Sequence, residues 1–239
     1  MGRQGGGQMD FSGAVEARFL RRVNRFVAEV ALSGGEITQA HVANTGRMQE
    51  LLIPGTACLV RPAANPARKT AWDLLAIDAG GHWVCLVARW ANDFFGQWLA
   101  DGEIEGFAGP DLIQREKKIG HSRFDFYVEQ AGARWLFEVK SVNFVTAGHA
   151  LFPDAPTSRG VRHVQELIAL KDAGYETGVV FVTMGQPVVD VAFNRAHDPD
   201  FAQVMQEAQA AGLWIRAFAA EIVPPEVRFV GARPIIFEE

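Results

Sequence analysis

Two runs of alternating apolar and polar residues, joined by a short turn, occupy the middle of the chain. They extend from Gly120 to Lys140, and the alternation predicts a β-hairpin turning at Ala131-Gly132. Counting outward from that turn sets Phe124 opposite Val139, Phe126 opposite Phe137 and Val128 opposite Trp135, which makes one face apolar. The other face sets Asp125 opposite Glu138 and Arg123 opposite Lys140. A one-residue slip would bury the charges of one strand, so the pattern selects this register. Like charges directly opposed across a sheet are destabilising. Two carboxylates so placed are best explained by a shared divalent cation.

The hairpin sits between two differently patterned regions. Residues 14–32 read as one long strand or two successive ones, and 36–44, 56–64, 72–78 and 83–89 follow as further strands. Turn residues separate them, including Ser33-Gly34-Gly35, Ala79-Gly80-Gly81 and an exposed loop at Asn65-Pro66 with Arg68-Lys69. Five short strands at regular spacing predict a small barrel of the oligonucleotide/oligosaccharide-binding (OB) type, since a sandwich would need seven. The pattern changes near Trp90. Residues 92–100 read as a helix capped by Asn92 or Asp93. Residues 112–119 read as a strand leading into the hairpin. Residues 158–173 form an amphipathic helix with Val161, Val164, Leu167 and Ile168 as its apolar stripe. Residues 179–183 are a continuous apolar run, as in a buried parallel strand. A helix opening at Asp198-Pro199 and a strand over 213–222 complete an α/β layer order, and the segment 224–239 is expected to pack back onto the body. The expected organisation is a disordered tail over 1–10, a barrel over 11–90 and an α/β domain over 91–239.

Composition narrows the classes. The chain has 239 residues, 49% hydrophobic and 21% charged, which is ordinary for a globular protein. No apolar run approaches the ~20 residues of a membrane span. The Gly-rich start has no apolar core of the signal-peptide kind, so the expected location is cytoplasmic, with no membrane partner. Cys58 and Cys85 lie in apolar runs as buried thiols, and without a CxxC pair they form no zinc site. The net charge of −5 argues mildly against nucleic-acid binding. That balance is uneven, positive over 1–92 and negative beyond, and local clusters matter more for phosphate than the sum.

Asp125 followed by Glu138-Val139-Lys140 has the form of the PD-(D/E)xK nuclease motif. The chemistry needs this set. Carboxylates suit Mg²⁺ or Mn²⁺, hard cations that keep several waters. Such a cation polarises a phosphodiester and acidifies water. Lys140, two residues after Glu138, would orient or deprotonate the attacking water, or stabilise charge growing on phosphate. The same charges would also serve as a solvated salt-bridge ladder. Glu116, one strand upstream, is the candidate third acidic ligand. Arg159, His163 and Glu166 fall on one helical face opposite the apolar stripe, and a cationic face there suits a phosphate backbone. Arg123 adds to that charge. In the barrel, Arg18, Arg21, Arg22 and Arg25 crowd the first strand, with Asn44-Thr45-Gly46-Arg47 as a polar turn. Barrels of this kind hold nucleic acid with such residues. Arg21, Arg22, Arg25, Asn44 and Arg47 are therefore nucleic-acid candidates, and a solubilising strand face is the competing explanation.

Several segments taken together resemble the sugar fermentation stimulation protein A (SfsA) family of prokaryotes. They are Arg22-Val-Asn-Arg-Phe26, Asn44-Thr-Gly46, Trp90-Ala-Asn92, Glu116 with Gly120-His-Ser-Arg-Phe-Asp-Phe126, Glu138-Val-Lys-Ser-Val142, Phe152-Pro-Asp-Ala155 and Thr157-Ser-Arg-Gly160 with His163. The resemblance runs from about Phe11 to Phe237. It implies an N-terminal OB-type barrel, a C-terminal restriction-endonuclease-like domain, DNA binding without marked sequence preference and a metal-dependent nuclease role. It places Asp125, Glu138 and Lys140 at the catalytic positions and Glu116 at the upstream acidic one. The chain departs from the common pattern at Val42-Ala43-Asn44, where many relatives carry Cys-Pro-Asn. The expected partner is DNA, with RNA as the other polymer. The competing functions are a non-catalytic, nonspecific DNA-binding regulator of sugar metabolism genes on a nuclease scaffold, and a metal-dependent hydrolase of a small phosphorylated molecule.

Overall fold

A computed structural model describes residues 11–65 and 67–237. The tail expected over 1–10 and Pro66 of the exposed loop lie outside the described residues.

The barrel is built from β1 (Val15–Asn24), β2 (Val27–Leu32), β3 (Ile37–Val42), β4 (Ala57–Pro62) and β5 (Trp72–Asp78). Their order is β3-β2-β1-β4-β5, and a parallel β3–β5 pairing closes the circle. Closure leaves no edge among the five. The run 14–32 is two strands, an antiparallel hairpin with Arg25 and Phe26 in its turn. Arg25, expected with Arg21 on the first strand, therefore lies in the turn. The expected fifth strand over 83–89 shrinks to β6 (Trp83–Cys85), which is appended to β5 outside the circle. Inward-facing Phe19, Val30, Val60 and Leu74 fill the barrel, with Cys58 buried among them as a free thiol.

The α/β domain contains helix α1 (Trp90–Asp101), strands β7 (Leu112–Ile119), β8 (Ser122–Gln130) and β9 (Ala133–Val142), helix α2 (Ser158–Asp172), β12 (Glu176–Met184), α3 (Pro199–Ala210), β14 (Trp214–Val223) and β15 (Glu226–Arg233). Its six-stranded sheet runs β15-β14-β12-β9-β8-β7. A second small sheet joins β10 (Val145–Thr146), β11 (His149–Phe152), β13 (Asp190–Phe193) and β16 (Ile235–Ile236). The C-terminal segment packs back as expected, β15 pairing with β14 and β16 with β13.

The large sheet is covered on both faces. Val180 and Val182 of β12 point into a core shared with α1, with barrel residues Leu59 and Leu75 and with Cys85 of β6. Val179 and Phe181 point into a second core with α2 and α3. Burial on both faces is why this strand reads as an unbroken apolar run.

The α1 face holds Phe94, Phe95, Trp98 and Leu99. Gly96 faces the sheet at a position where a Cβ would lie 2.9 Å from the Phe126 ring. The missing side chain lets α1 settle directly on β8. The helix begins two residues earlier than expected, Arg89 is its N-cap, and no side chain caps it. Asn92 and Asp93 lie inside the first turn, and their side chains reach to the sheet.

Thr157 caps α2 by accepting from the Gly160 N–H at 3.1 Å, and Asp198 caps α3 by accepting from the Phe201 N–H at 2.9 Å. The buried side of α2 is Gly160, His163, Val164 and Leu167, at i, i+3, i+4 and i+7. His163 thus belongs to the inner face and not to the outer face with Arg159. The helix packs against both the sheet and α3, which widens its buried stripe.

Candidate metal and nucleic-acid site

The hairpin turns at Ala131-Gly132, both with positive φ (50° and 79°), as a type I′ turn requires. The ladder from Gln130↔Ala133 to Phe126↔Phe137 matches the sequence register. Beyond Phe126 the ladder stops, and the expected pairings Asp125–Glu138, Phe124–Val139 and Arg123–Lys140 do not form. Phe124 lies in the core beneath α2 and Phe126 in the core beneath α1, although two-residue spacing should put both on one face. The strand changes face at Asp125. The Val139 N–H, freed from the ladder, donates to Asp125 Oδ2 at 2.8 Å. On the neighbouring strand Glu116 takes a positive φ of 55° between the paired residues Arg115 and Lys117. The irregularity therefore crosses two strands, without shifting the β7–β8 register on either side of it.

Each carboxylate is held by two donors. Asp125 Oδ1 accepts from Asn92 Nδ2 at 2.7 Å, and Oδ2 accepts from Val139. Glu138 Oε1 accepts from Lys140 Nζ at 2.7 Å and bonds His163 Nδ1 at 2.8 Å. Asn92 comes from α1 on one face of the sheet and His163 from α2 on the other. Glu138 is 6% exposed and His163 4%, so neither bond competes with bulk water.

Burial and the neighbouring Glu138 charge push the Asp125 carboxyl up to about 6. Burial acts upward on Glu138 too, but the bonds and charges of His163 and Lys140 outweigh it and hold this carboxyl below its ordinary value. Two neighbouring carboxylates with opposite displacements form a site of concentrated negative charge that only partly carries its own counter-ions.

The other expected residues are distributed unevenly. Glu116 turns to solvent and pairs with Arg123 at 3.1 Å, and no bond joins it to Asp125 or Glu138. Among the described residues no group of three His, Cys, Asp or Glu side chains is set to hold a metal ion. Arg21 is taken up by a bidentate pair with Glu29, at 2.7 and 2.8 Å. Arg22 donates to four backbone carbonyls, those of Arg25, Asn44, Gly46 and Arg47, and so ties the β1–β2 turn to the segment after β3. Burial and nearby Arg25 lower its pKa. Asn44 closes its own turn by accepting from the Gly46 N–H at 2.8 Å. Arg25, Arg47 and Arg159 are exposed, and none is bonded to a carboxylate among the described residues.

A cleft of about 920 Å³ opens between the barrel and the α/β domain. Arg22, Arg25, Asn44 and Arg47 line its barrel side; Ser141, Asn143 and the segment Phe152–Thr157 line the other. Sequence reasoning missed Asn92, Ser141 and Asn143. Asn92 was visible only as a cap and as part of Trp90-Ala-Asn92, and Ser141 only as part of Glu138-Val-Lys-Ser-Val142; Asn143 carries no motif signal.

The chain matches the model described as the SfsA N-terminal OB domain over residues 20–86, and the Sugar fermentation stimulation protein RE domain over residues 89–226. The sugar fermentation stimulation protein homolog of Moorella thermoacetica is 40% identical over 218 residues, covering 90% of this chain and 94% of the relative. That of Methanobrevibacter smithii is 39% identical over 214 residues, covering 85% and 89%. The solved structure of Pyrococcus furiosus SfsA in complex with Ca²⁺ superposes with a TM-score of 0.88 at 31% identity, covering 95% of this chain and 97% of that one.

Proposed function

The chain belongs to the sugar fermentation stimulation protein family, and from that premise we propose that it binds nucleic acid and hydrolyses phosphodiester bonds with a divalent cation, with little sequence preference. The observation that carries this reading is the convergence of Asp125, Glu138 and Lys140 on one sheet irregularity, each carboxylate oriented by two donors.

The donor set fits a hard cation. Asp125 and Glu138 would hold it. The raised Asp125 pKa supports this, since an added positive charge offsets the burial, and then the Glu138 repulsion, that raise it. One or two carboxylates completed by water and phosphate is the usual way Mg²⁺ is held, and Mn²⁺ accepts the same ligands. Glu116 is not needed for such a set. The Ca²⁺ in the Pyrococcus relative supports an affinity for oxygen-seeking cations in this family. A cation bound there supplies polarisation of the phosphate and acidification of water.

The remaining steps fall to the chain's own residues. Asn92 and the Val139 N–H fix both oxygens of Asp125. His163 fixes Glu138, and Glu138 fixes the Lys140 ammonium. Lys140 then donates to a phosphate oxygen or orients water for in-line attack. Arg25 and Arg47, free of carboxylates, receive the phosphate backbone.

Incubating the protein with single- and double-stranded DNA and RNA, with Mg²⁺, Mn²⁺ or EDTA, tests the reading. Cleavage that requires the cation and disappears in Glu138→Ala and Lys140→Ala is the expected result. The second reading, a DNA-binding regulator without catalysis, is favoured by the saturation of Glu138 Oε1 with protein donors. It requires salt-sensitive binding that neither substitution nor EDTA changes.

A further inference from the structure

Among the described residues that line the cleft, three carry a buried polar atom without a partner, Arg22 Nε and two oxygens on the opposite wall. Asn143 is anchored, its Nδ2 donating to the Cys85 carbonyl at 3.1 Å, while its Oδ1 has no partner. Ser141 Oγ is also buried without a partner. Both residues line the cleft, one and three positions beyond Lys140. A buried acceptor left unpaired loses its hydration without compensation, and native folds rarely leave one without a reason.

The surroundings indicate the ligand. Across the cleft stand Arg25 and Arg47, with their charge uncommitted to any carboxylate among the described residues. Phe144 and Phe152, both part-exposed, lie on the wall that holds the acceptors, and Phe144 is itself stacked on His197 at 6.1 Å. Glu50 and Asp154 also line the cleft, and Asp154 acts on the already bonded Arg22; Arg25 and Arg47 on one wall and aromatic faces with acceptors on the other match a polymer of phosphates and bases. Every nucleobase offers an N–H donor on its Watson–Crick edge, so acceptors alone select bases without selecting sequence. In a duplex those ring and amino donors already face their complement. A cleft of about 920 Å³ is the size of a small-ligand pocket, which suits a few unpaired nucleotides and not a helix.

We infer that this cleft is a single-strand site, in which unpaired bases donate to Asn143 Oδ1 and Ser141 Oγ while Arg25 and Arg47 hold the backbone. It rests on the nucleic-acid reading above and adds strandedness and two base-contacting residues.

The test is fluorescence anisotropy with the full chain in EDTA at one fixed salt concentration. The probes are labelled dodecathymidylate, the same oligomer methylated at thymine N3, and the dT·dA duplex. Dodecathymidylate is expected to bind at least tenfold tighter than either of the others. Ser141→Ala and Asn143→Ala are expected to weaken it about three- to tenfold, and to leave duplex binding unchanged. Asn143→Ala also loses the bond to Cys85, so Ser141→Ala is the cleaner arm, with a melting temperature equal to or above wild type. Equal binding of strand and duplex, or indifference to N3 methylation and to both substitutions, overturns the inference and leaves the nucleic-acid reading standing. Failure to bind any of the three probes, or an RNA dodecamer, overturns both.

Discussion

Asn92 and Asp125 are joined by a 2.7 Å hydrogen bond across 33 residues of chain, from the first turn of α1 to the irregular point of β8. A residue that the local pattern assigns to helix capping is instead a support for a carboxylate. Residues that orient ligand carboxylates and imidazoles typically change metal affinity 10- to 100-fold when removed. Asn92→Ala is accordingly expected to weaken Mn²⁺ binding within that range, measured by titration calorimetry. Unchanged affinity would detach Asn92 from the site.

The approach of α1 depends on Gly96. Alanine in a helix interior normally gains about 1 kcal/mol over glycine. Here its Cβ would stand 2.9 Å from the buried Phe126 ring, and overpacking of that kind costs about 1–3 kcal/mol. The clash is the larger effect. Gly96→Ala should lower the urea midpoint and, by lifting α1, weaken Mn²⁺ binding as Asn92→Ala does. A more stable variant would mean that the helix can shift freely.

His163 is buried against Glu138. Its removal leaves a charged acceptor short of one partner, a loss of about 1–3 kcal/mol. His163→Ala is therefore expected to be destabilised by that amount in denaturant unfolding, and His163→Asn, which keeps a donor, by less. Equal losses in the two variants would assign the cost to packing and not to the bond.

The raised Asp125 carboxyl has a definite consequence for stability in EDTA. From the ordinary value of 3.8 up to about 6, the folded chain keeps a proton that the unfolded chain has released. The unfolded state binds fewer protons over that window, so this group's stabilisation is complete below it and is lost as pH rises through 6. Asp125→Asn removes the titration. Thermal melts at pH 4, 6 and 8 should show the variant gaining on wild type as pH rises, and parallel curves would contradict the assignment.

The arginines of the barrel are unequal. Arg21 is neutralised by Glu29, whereas Arg25 and Arg47 are bonded to no carboxylate among the described residues. Each phosphate contact adds about 0.7 to 0.9 to the slope of log K against log salt. Arg25→Ala and Arg47→Ala should each lower the slope by roughly that much. Arg21→Ala should leave it nearly unchanged.

What the sequence determined by itself is local. Strand spacing gave the OB-type barrel, and period-two alternation gave the Ala131-Gly132 turn and the Phe126–Phe137 register. The alternation of β8 and β9 also picked out Asp125, Glu138 and Lys140. These follow from backbone geometry that neighbours in the chain impose on one another. What the tertiary structure decided is where those side chains look. Phe124 leaves the face of Phe126 because cores lie on both sides of the sheet, and the switch turns Asp125 toward α1. His163 turns inward because α2 packs against both the sheet and α3 and so buries a face wider than its apolar stripe. Arg22 is occupied by carbonyls of a segment more than twenty residues away, and Glu116 is drawn off by Arg123. No local pattern records such partners, because each is chosen by which elements pack together and not by which residues adjoin.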